Sequence, residues 1–125
     1  MSARTQKSDQ GMAPCFKLWL SDDETGGGFG DGRWRLLQAV EREGSLRAAT
    51  SALGISYRKG WGDLRAAEQC LGIRLLEKHR GGRNGGSTAL TADGKRFLEA
   101  YRRFRTRVAR AVEQAFKEEL GRGER

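Results

Sequence analysis

The strongest constraint on how this chain folds is a pair of glycine stops, Gly44 and Gly54, each followed almost at once by a serine. Glycine takes the left-handed conformation that ends a helix, and a serine oxygen accepts the orphan N–H groups that begin one. Gly44-Ser45 and Gly54-Ile55-Ser56 therefore read as two stop-and-restart signals. The segment between them has Leu46, Ala49 and Leu53 at i, i+3 and i+7, the buried stripe of a helix of only about eight residues. Before it, Leu36, Leu37 and Val40 mark a helix over roughly 32–43; after it, Ser56 opens a helix to about Leu71, with Gly72 as its stop. Two helices joined across so short a turn make a helix-turn-helix.

The next stretch of chain adds a wing. Arg74 to His79 and Ser87 to Leu90 read as strands, and the loop RGGRNGG at 80–86 between them contains Asn84-Gly85, a type I′ hairpin signal. Thr91 then caps a long helix in which Phe97, Tyr101, Phe104, Val108, Ala111 and Ala115 recur at spacings of 4, 3, 4, 3 and 4. That is a heptad seam, too short to stand alone, and it predicts packing against the body or an identical helix in a homodimer. Upstream, Phe16, Leu18 and Leu20 alternate with Lys17 and Trp19, so a short hairpin turning through Asp22 to Gly28 and ending near Phe29 is expected. The predicted fold is mainly α with small β: a winged helix-turn-helix with an N-terminal β-hairpin, a β-wing and a long C-terminal dimerisation helix. Its divisions are a disordered leader at 1–14, the winged unit at 15–91, the long helix at 92–120 and a tail at 121–125.

Charge narrows the partner. The chain of 125 residues carries a formal net charge of +8, and residues 33–110 hold 18 basic against 7 acidic side chains. The flanks together hold 6 basic and 9 acidic, so the positive field belongs to the folded body. Such a field suits a polyanion, nucleic acid before anionic membrane. No apolar run approaches the roughly 20 residues of a membrane span, and the first residues lack the apolar stretch of a signal peptide, so a cytoplasmic protein is expected. Cys15, Cys70 and a single histidine, His79, cannot supply a four-ligand zinc site, and no cofactor or metal is expected. GGGFGDG at 26–32 lacks both phosphate-loop spacings and reads as a flexible loop. His79 has no plausible Ser or Cys partner, which argues against an enzyme.

With these pieces in place, GSLRAATSALGISYRKGWGDL followed by LGIRLLEKHRGGRNGGSTALTADGKRFL resembles the N-terminal DNA-binding domain of ModE-type molybdate-responsive transcription regulators, and more widely LysR-type winged helices. The similarity covers roughly 16–116 and rests on Gly44-Ser45, on Ser56-Tyr57-Arg58 with Trp61, and on the Gly-rich wing between a Leu-Leu-Glu strand and Leu90-Thr91. The resemblance implies a sequence-specific regulator acting as a homodimer on an inverted-repeat operator in double-stranded DNA. Regulators of this type that sense molybdate carry further C-terminal modules for the oxyanion. The chain ends at Arg125, about where those would begin, so direct sensing is not expected and a separate sensor protein is an open partner.

A helical wheel centred on Leu64 turns Tyr57, Gly60, Trp61, Ala67 and Leu71 to the core and Lys59, Gly62, Ala66 and Gln69 outward, with Arg58, Asp63 and Arg65 on the flanks. In a winged helix that outward face enters the major groove, where Arg58 and Lys59 can donate to guanine. Asp63 either accepts from cytosine or pairs with Arg58 or Lys59. Gly62 permits close approach, and Tyr57 belongs to the core or offers its hydroxyl to phosphate. Gly60 and Gly62 each cost about 1 kcal/mol against Ala, so this helix leans on its neighbours or on DNA. Ser45 and Ser56 are helix caps whose N-termini also suit phosphate. Arg80, Arg83 and Asn84 suit a minor groove or a solvated loop tip. Lys95 and Arg96 oppose the dipole of the last helix, a placement that makes sense beside phosphate. Arg102, Arg103, Arg105, Arg107 and Arg110 are mostly a solvated face. Two rivals use the same charge: a sequence-tolerant architectural or RNA-binding protein, and an interaction module that depends on a sensor protein.

Overall fold

A computed structural model describes residues 3–4, 11–22, 24, 28–79 and 87–121. Its elements in chain order are β1 (Ala3–Arg4), β2 (Cys15–Phe16), β3 (Trp19–Ser21), β4 (Gly28–Gly30), α1 (Asp31–Glu43), α2 (Leu46–Leu53), α3 (Tyr57–Leu71), β5 (Leu76–His79), β6 (Ser87–Leu90) and α4 (Ala92–Leu120). The helix boundaries are those the caps dictate. Gly44, Gly54 and Gly72 adopt positive φ and close α1, α2 and α3. Ser45, Ser56 and Thr91 each accept an N–H from three residues on, Ala48, Lys59 and Gly94.

The core is a single cluster made by the inward faces of α1, α2 and α3, the wing and the first turns of α4. Leu36, Leu37, Val40, Leu46, Leu64, Leu75, Leu76, Leu90 and Leu98 are all buried. Two polar details knit the layers. The Leu46 N–H donates to Thr88 Oγ1 at 3.1 Å, joining α2 to β6. Glu68 Oε2 accepts from the Leu75 and Leu76 N–H groups at 2.8 and 3.2 Å, which fastens α3 to the start of the wing. β5 and β6 pair antiparallel, Leu76 opposite Leu90 and His79 opposite Ser87. The first wing strand thus begins at Leu76 and not at Arg74, because its partner strand ends at Leu90 and Thr91 already caps α4.

The N-terminal hairpin is present but divided. β3 pairs with β4, Leu20 opposite Phe29, while Cys15–Phe16 turns away to pair with Ala3–Arg4. Two residues of the expected leader therefore form a strand. Their polar sequence carries no periodic signal because a two-residue bridge needs backbone hydrogen bonds and no apolar face.

A buried junction ties this hairpin to the helices. Asp31 opens α1, is 6% exposed, and receives Arg105 Nε at 2.8 Å and Arg105 Nη2 at 3.2 Å. Its carboxylate also accepts the Tyr101 hydroxyl at 2.9 Å and the Leu18 N–H at 3.2 Å. Burial pushes this carboxyl up, but the hydrogen bonds from Arg105, Leu18 and Tyr101 and the Arg105 charge outweigh it and hold it below the ordinary carboxylate range. Burial and the neighbouring Asp31 carboxylate both push the Tyr101 hydroxyl above its ordinary value.

The last helix meets the first of the two packings its seam allowed and departs from expectation at Arg105. Tyr101 is 2% exposed and meets Phe29 edge-on at 5.0 Å, and Phe97 meets Phe29 at 4.8 Å. Both are therefore packed against the monomer body, since the hairpin brings Phe29 to the same helix face. Arg105, expected on the solvated face, is turned into the junction by Asp31. No described helix is long and apolar enough to cross a membrane.

Candidate nucleic-acid interface

α3 presents one face to the core and one to solvent. Gly60, Leu64 and Ala67 are buried, with Tyr57, Trp61 and Leu71 packed partly against the same cluster. Arg58, Lys59, Gly62, Arg65 and Gln69 are exposed, as the helical wheel drawn from sequence has it, while Ala66, also expected outward, is half-buried. Gly60 and Gly62 differ sharply. A Cβ on Gly60 would lie 2.5 Å from Thr50 Cγ2, so glycine lets α3 close on α2; a Cβ on Gly62 would meet nothing within 4 Å.

Ser56 is exposed at the N-terminus of α3 and Ser45 is partly buried at that of α2. Both serine oxygens are engaged as caps, and in α2 the Leu46 N–H is taken up by Thr88 Oγ1 as well. Asp63 pairs with Lys59 at 3.0 Å and lies 3.7 Å from Arg33 of α1. The pairing with Lys59 is one of those the sequence offered, and Arg33 is an additional partner that helix spacing does not reveal. Lys95 and Arg96 are both exposed in the first turn of α4, and Arg96 is paired with Asp93. Arg80, Arg83 and Asn84 lie outside the described residues.

Two cations were missed by sequence. Arg47 of α2 places its guanidinium 4.3 Å from the centre of the Tyr57 ring, and Lys78 of β5 places its ammonium 5.0 Å from that of Trp61. Tyr57 and Trp61, one helical turn apart, meet edge to face at 6.3 Å. Cation–aromatic contacts at exposed positions contribute about 0.5–1 kcal/mol, enough to orient a flexible side chain. A signal for Arg47 did exist: it sits in the first turn of α2, where a cation opposes the macrodipole, the anomaly that singled out Lys95 and Arg96. Lys78 had none, because its neighbour Trp61 is reached only through the tertiary fold. Between α3 and β5 runs a groove of about 690 Å3 floored by Trp61 and rimmed by Arg65, Arg74 and Lys78, with Glu68 and Glu77 on its walls.

The exposed side of the helix-turn-helix therefore carries guanidinium and ammonium groups, Arg47 on α2 and Arg58, Lys59 and Arg65 on α3, donors of the type that pair with base edges and phosphate oxygens. Among the described residues, no group of three His, Cys, Asp or Glu side chains is placed to hold a metal ion.

Comparison with known proteins agrees with this geometry. The family model "Bacterial regulatory helix-turn-helix protein, lysR family" matches residues 32–95, the span from α1 to the start of α4. The chain is 37% identical over 81 residues to the molybdenum transport protein ModE of Azotobacter vinelandii, covering 65% of this chain and 30% of that protein. It is 39% identical over 69 residues to the transcriptional regulator ModE of Haemophilus influenzae, covering 55% of this chain and 27% of that one. The chain thus spans less than a third of the length of these relatives. Among solved structures, the DNA-binding domain of CbnR in its complex with DNA superposes with a TM-score of 0.54 at 31% identity, covering 67% of this chain and 91% of that one. CbnR itself, a LysR family transcriptional regulator, gives the same score at 30% identity over 69% of this chain and 28% of its own. With the family model spanning both helices of the helix-turn-helix and the wing strands, the chain belongs to the LysR family of bacterial regulatory helix-turn-helix proteins.

Proposed function

We propose that this chain is the DNA-reading unit of a cytoplasmic transcription regulator that binds an inverted repeat as a homodimer. The observation that carries this reading is the two-sidedness of α3: a face locked into the core by Gly60, Leu64 and Ala67, and an opposite face offering Arg58, Lys59, Gly62 and Arg65 from a capped N-terminus. In this reading the N-terminal half of α3 enters the major groove with Arg58 and Lys59 at base edges. Lys95 and the first turns of α2 and α4 meet phosphate, and the wing follows the minor groove with Arg80, Arg83 and Asn84. The Haemophilus relative is named a transcriptional regulator, and the solved neighbour is a DNA-binding domain bound to DNA, which supports the assignment.

The dimer is assigned to the outer face of α4. Phe104 is 43% exposed and shares a surface groove with Val108 and Ala111, flanked by Arg103 and Arg107. Charge along the helix is segregated: five arginines stand between 102 and 110, and Glu113, Glu118 and Glu119 come after them with a single cation, Lys117. Two such helices attract when antiparallel, basic half beside acidic half, and repel when parallel.

The test is selection of bound sequences from a random duplex pool at about 150 mM salt, followed by comparison of the winner with a scrambled duplex. An inverted repeat with half-sites about 10 bp apart, bound about a thousandfold more tightly than the scramble, is the expected result. No enriched motif, with affinity that merely falls as salt rises, would establish the sequence-tolerant reading instead. Specific binding only in the presence of a second protein would point to the sensor-dependent module.

A further inference from the structure

We infer that Arg47 and Lys78 form a pair of phosphate clamps, one on each side of the recognition helix, held in place by the Tyr57–Trp61 aromatic pair. The inference rests on the proposed reading of α3 as the helix that enters the major groove.

Several cations near α3 are held by carboxylates. Lys59 is paired with Asp63, Arg96 with Asp93, and Arg74 lies 4.0 Å from Glu68; each has a carboxylate that both orients and neutralises it. Arg47 and Lys78 are exposed and form no ion pair among the described residues. Each is instead held over an aromatic face, Arg47 over Tyr57 and Lys78 over Trp61. An aromatic ring orients a cation without cancelling its charge. The two rings touch each other, so the cations sit at the ends of one continuous stack that crosses from α2 through α3 to β5. Both rings are themselves packed partly against the core, which fixes the stack to the body.

The placement matches a duplex. The major groove is about 12 Å wide and is walled by the two phosphate backbones. A helix lying in it has a backbone on each side, and here one cation projects on the α2 side and one on the wing side. Lys78 and Arg65 rim the groove between α3 and β5, where the strand on the wing side would pass. Tyr57 and Trp61 are then positioning residues. They touch neither bases nor phosphate, and they set affinity by holding one cation on the α2 side and one on the wing side without an ion-pair partner.

The experiment measures the affinity of the full chain for the selected duplex and for a scrambled duplex across about 50–200 mM salt. Arg47→Gln and Lys78→Gln should each lower the slope of log affinity against log salt by about 1, and the double variant by about 2, with equal fold losses on both duplexes. Lys117→Gln, which removes one positive charge near the end of α4, should leave the slope as it is. Tyr57→Phe keeps the ring and should behave as the parent. Tyr57→Leu should weaken both duplexes, yet cause no further loss once Arg47 is already Gln. Unchanged slopes in the Gln variants, or losses confined to the selected duplex, would overturn the clamps. A Tyr57→Leu effect of the same size with and without Arg47 would overturn the positioning role. Because the scrambled duplex reports on phosphate contacts alone, the clamps can pass this test even if no preferred sequence exists. A chain that binds no duplex at all would overturn both readings.

Discussion

Gly60 and Gly62 stand two positions apart on the same helix, and by helix propensity alone both count as a cost of about 1 kcal/mol, although the wheel turns the first inward and the second outward. Their surroundings separate them. Gly60→Ala would drive a methyl group into Thr50 Cγ2, and overpacking of this kind costs about 1–3 kcal/mol, more than the helix propensity it gains. Its melting temperature should fall, and Thr50→Ser, which removes the clashing methyl, should restore it. Gly62→Ala meets open space and should raise stability by up to about 1 kcal/mol. A Gly60→Ala protein as stable as the parent would show that α2 and α3 are not in the contact described. The cations divide by function in the same way. Arg58→Ala should cost about 1–3 kcal/mol on the selected duplex and relax base preference at one position, whereas Lys95→Ala should weaken all sequences alike. Competition binding against single-base variants of the operator distinguishes the two, and equal losses everywhere for both would refute the division.

At the level of elements, the caps were legible because each is a local event. Gly44-Ser45, Gly54-Ile55-Ser56 and Thr91 act on N–H and C=O groups within a few residues, and α1 ends, α2 begins and ends, and α3 and α4 begin where those residues say. The N-terminal strands were less legible because the pairing of Ala3–Arg4 with Cys15–Phe16 leaves no pattern in side chains. The seam of α4 was half legible. Its heptad spacing is real, but Phe97 and Tyr101 are spent on Phe29, and what remains outward is Phe104, Val108 and Ala111. Phe104→Glu should therefore convert the proposed dimer to a monomer in sedimentation experiments while leaving the melting of the monomer body little changed. Dimers that persist in this variant would place the interface elsewhere.

The whole molecule is closed by the Asp31 junction, where the N-terminal hairpin, α1 and α4 meet at one carboxylate. Removing it in Asp31→Ala leaves Arg105, only 17% exposed, without its partner and should cost about 3 kcal/mol, near the low end for breaking a buried pair. Stability should also follow pH with a definite sign. The Asp31 carboxyl is held below its ordinary value in the folded chain, so the unfolded chain takes up the proton first as pH falls. This contribution is complete above about pH 4 and is lost as pH drops below it, and the acid slope should shrink in Asp31→Asn. Tyr101 works in the opposite direction: its hydroxyl is held above its ordinary value, so the unfolded chain ionises first and this contribution is lost as pH rises past about 10. Thermal melts across pH on the parent, Asp31→Asn and Tyr101→Phe separate the two, and identical acid slopes in parent and Asp31→Asn would show that Asp31 does not set the acid limb. The junction also marks where sequence information ends. Stops, caps, strand alternation, the outward face of α3 and the basic field of the body were determined by the sequence itself, because each depends on neighbours a few residues away or on composition. The junction, the glycine needed at 60, the burial of Tyr101 and the aromatic stack under Arg47 and Lys78 were decided only by the tertiary structure. They depend on which surfaces meet, and contacts such as Leu18 to Tyr101 or Trp61 to Lys78 join residues whose separation along the chain carries no periodic signal.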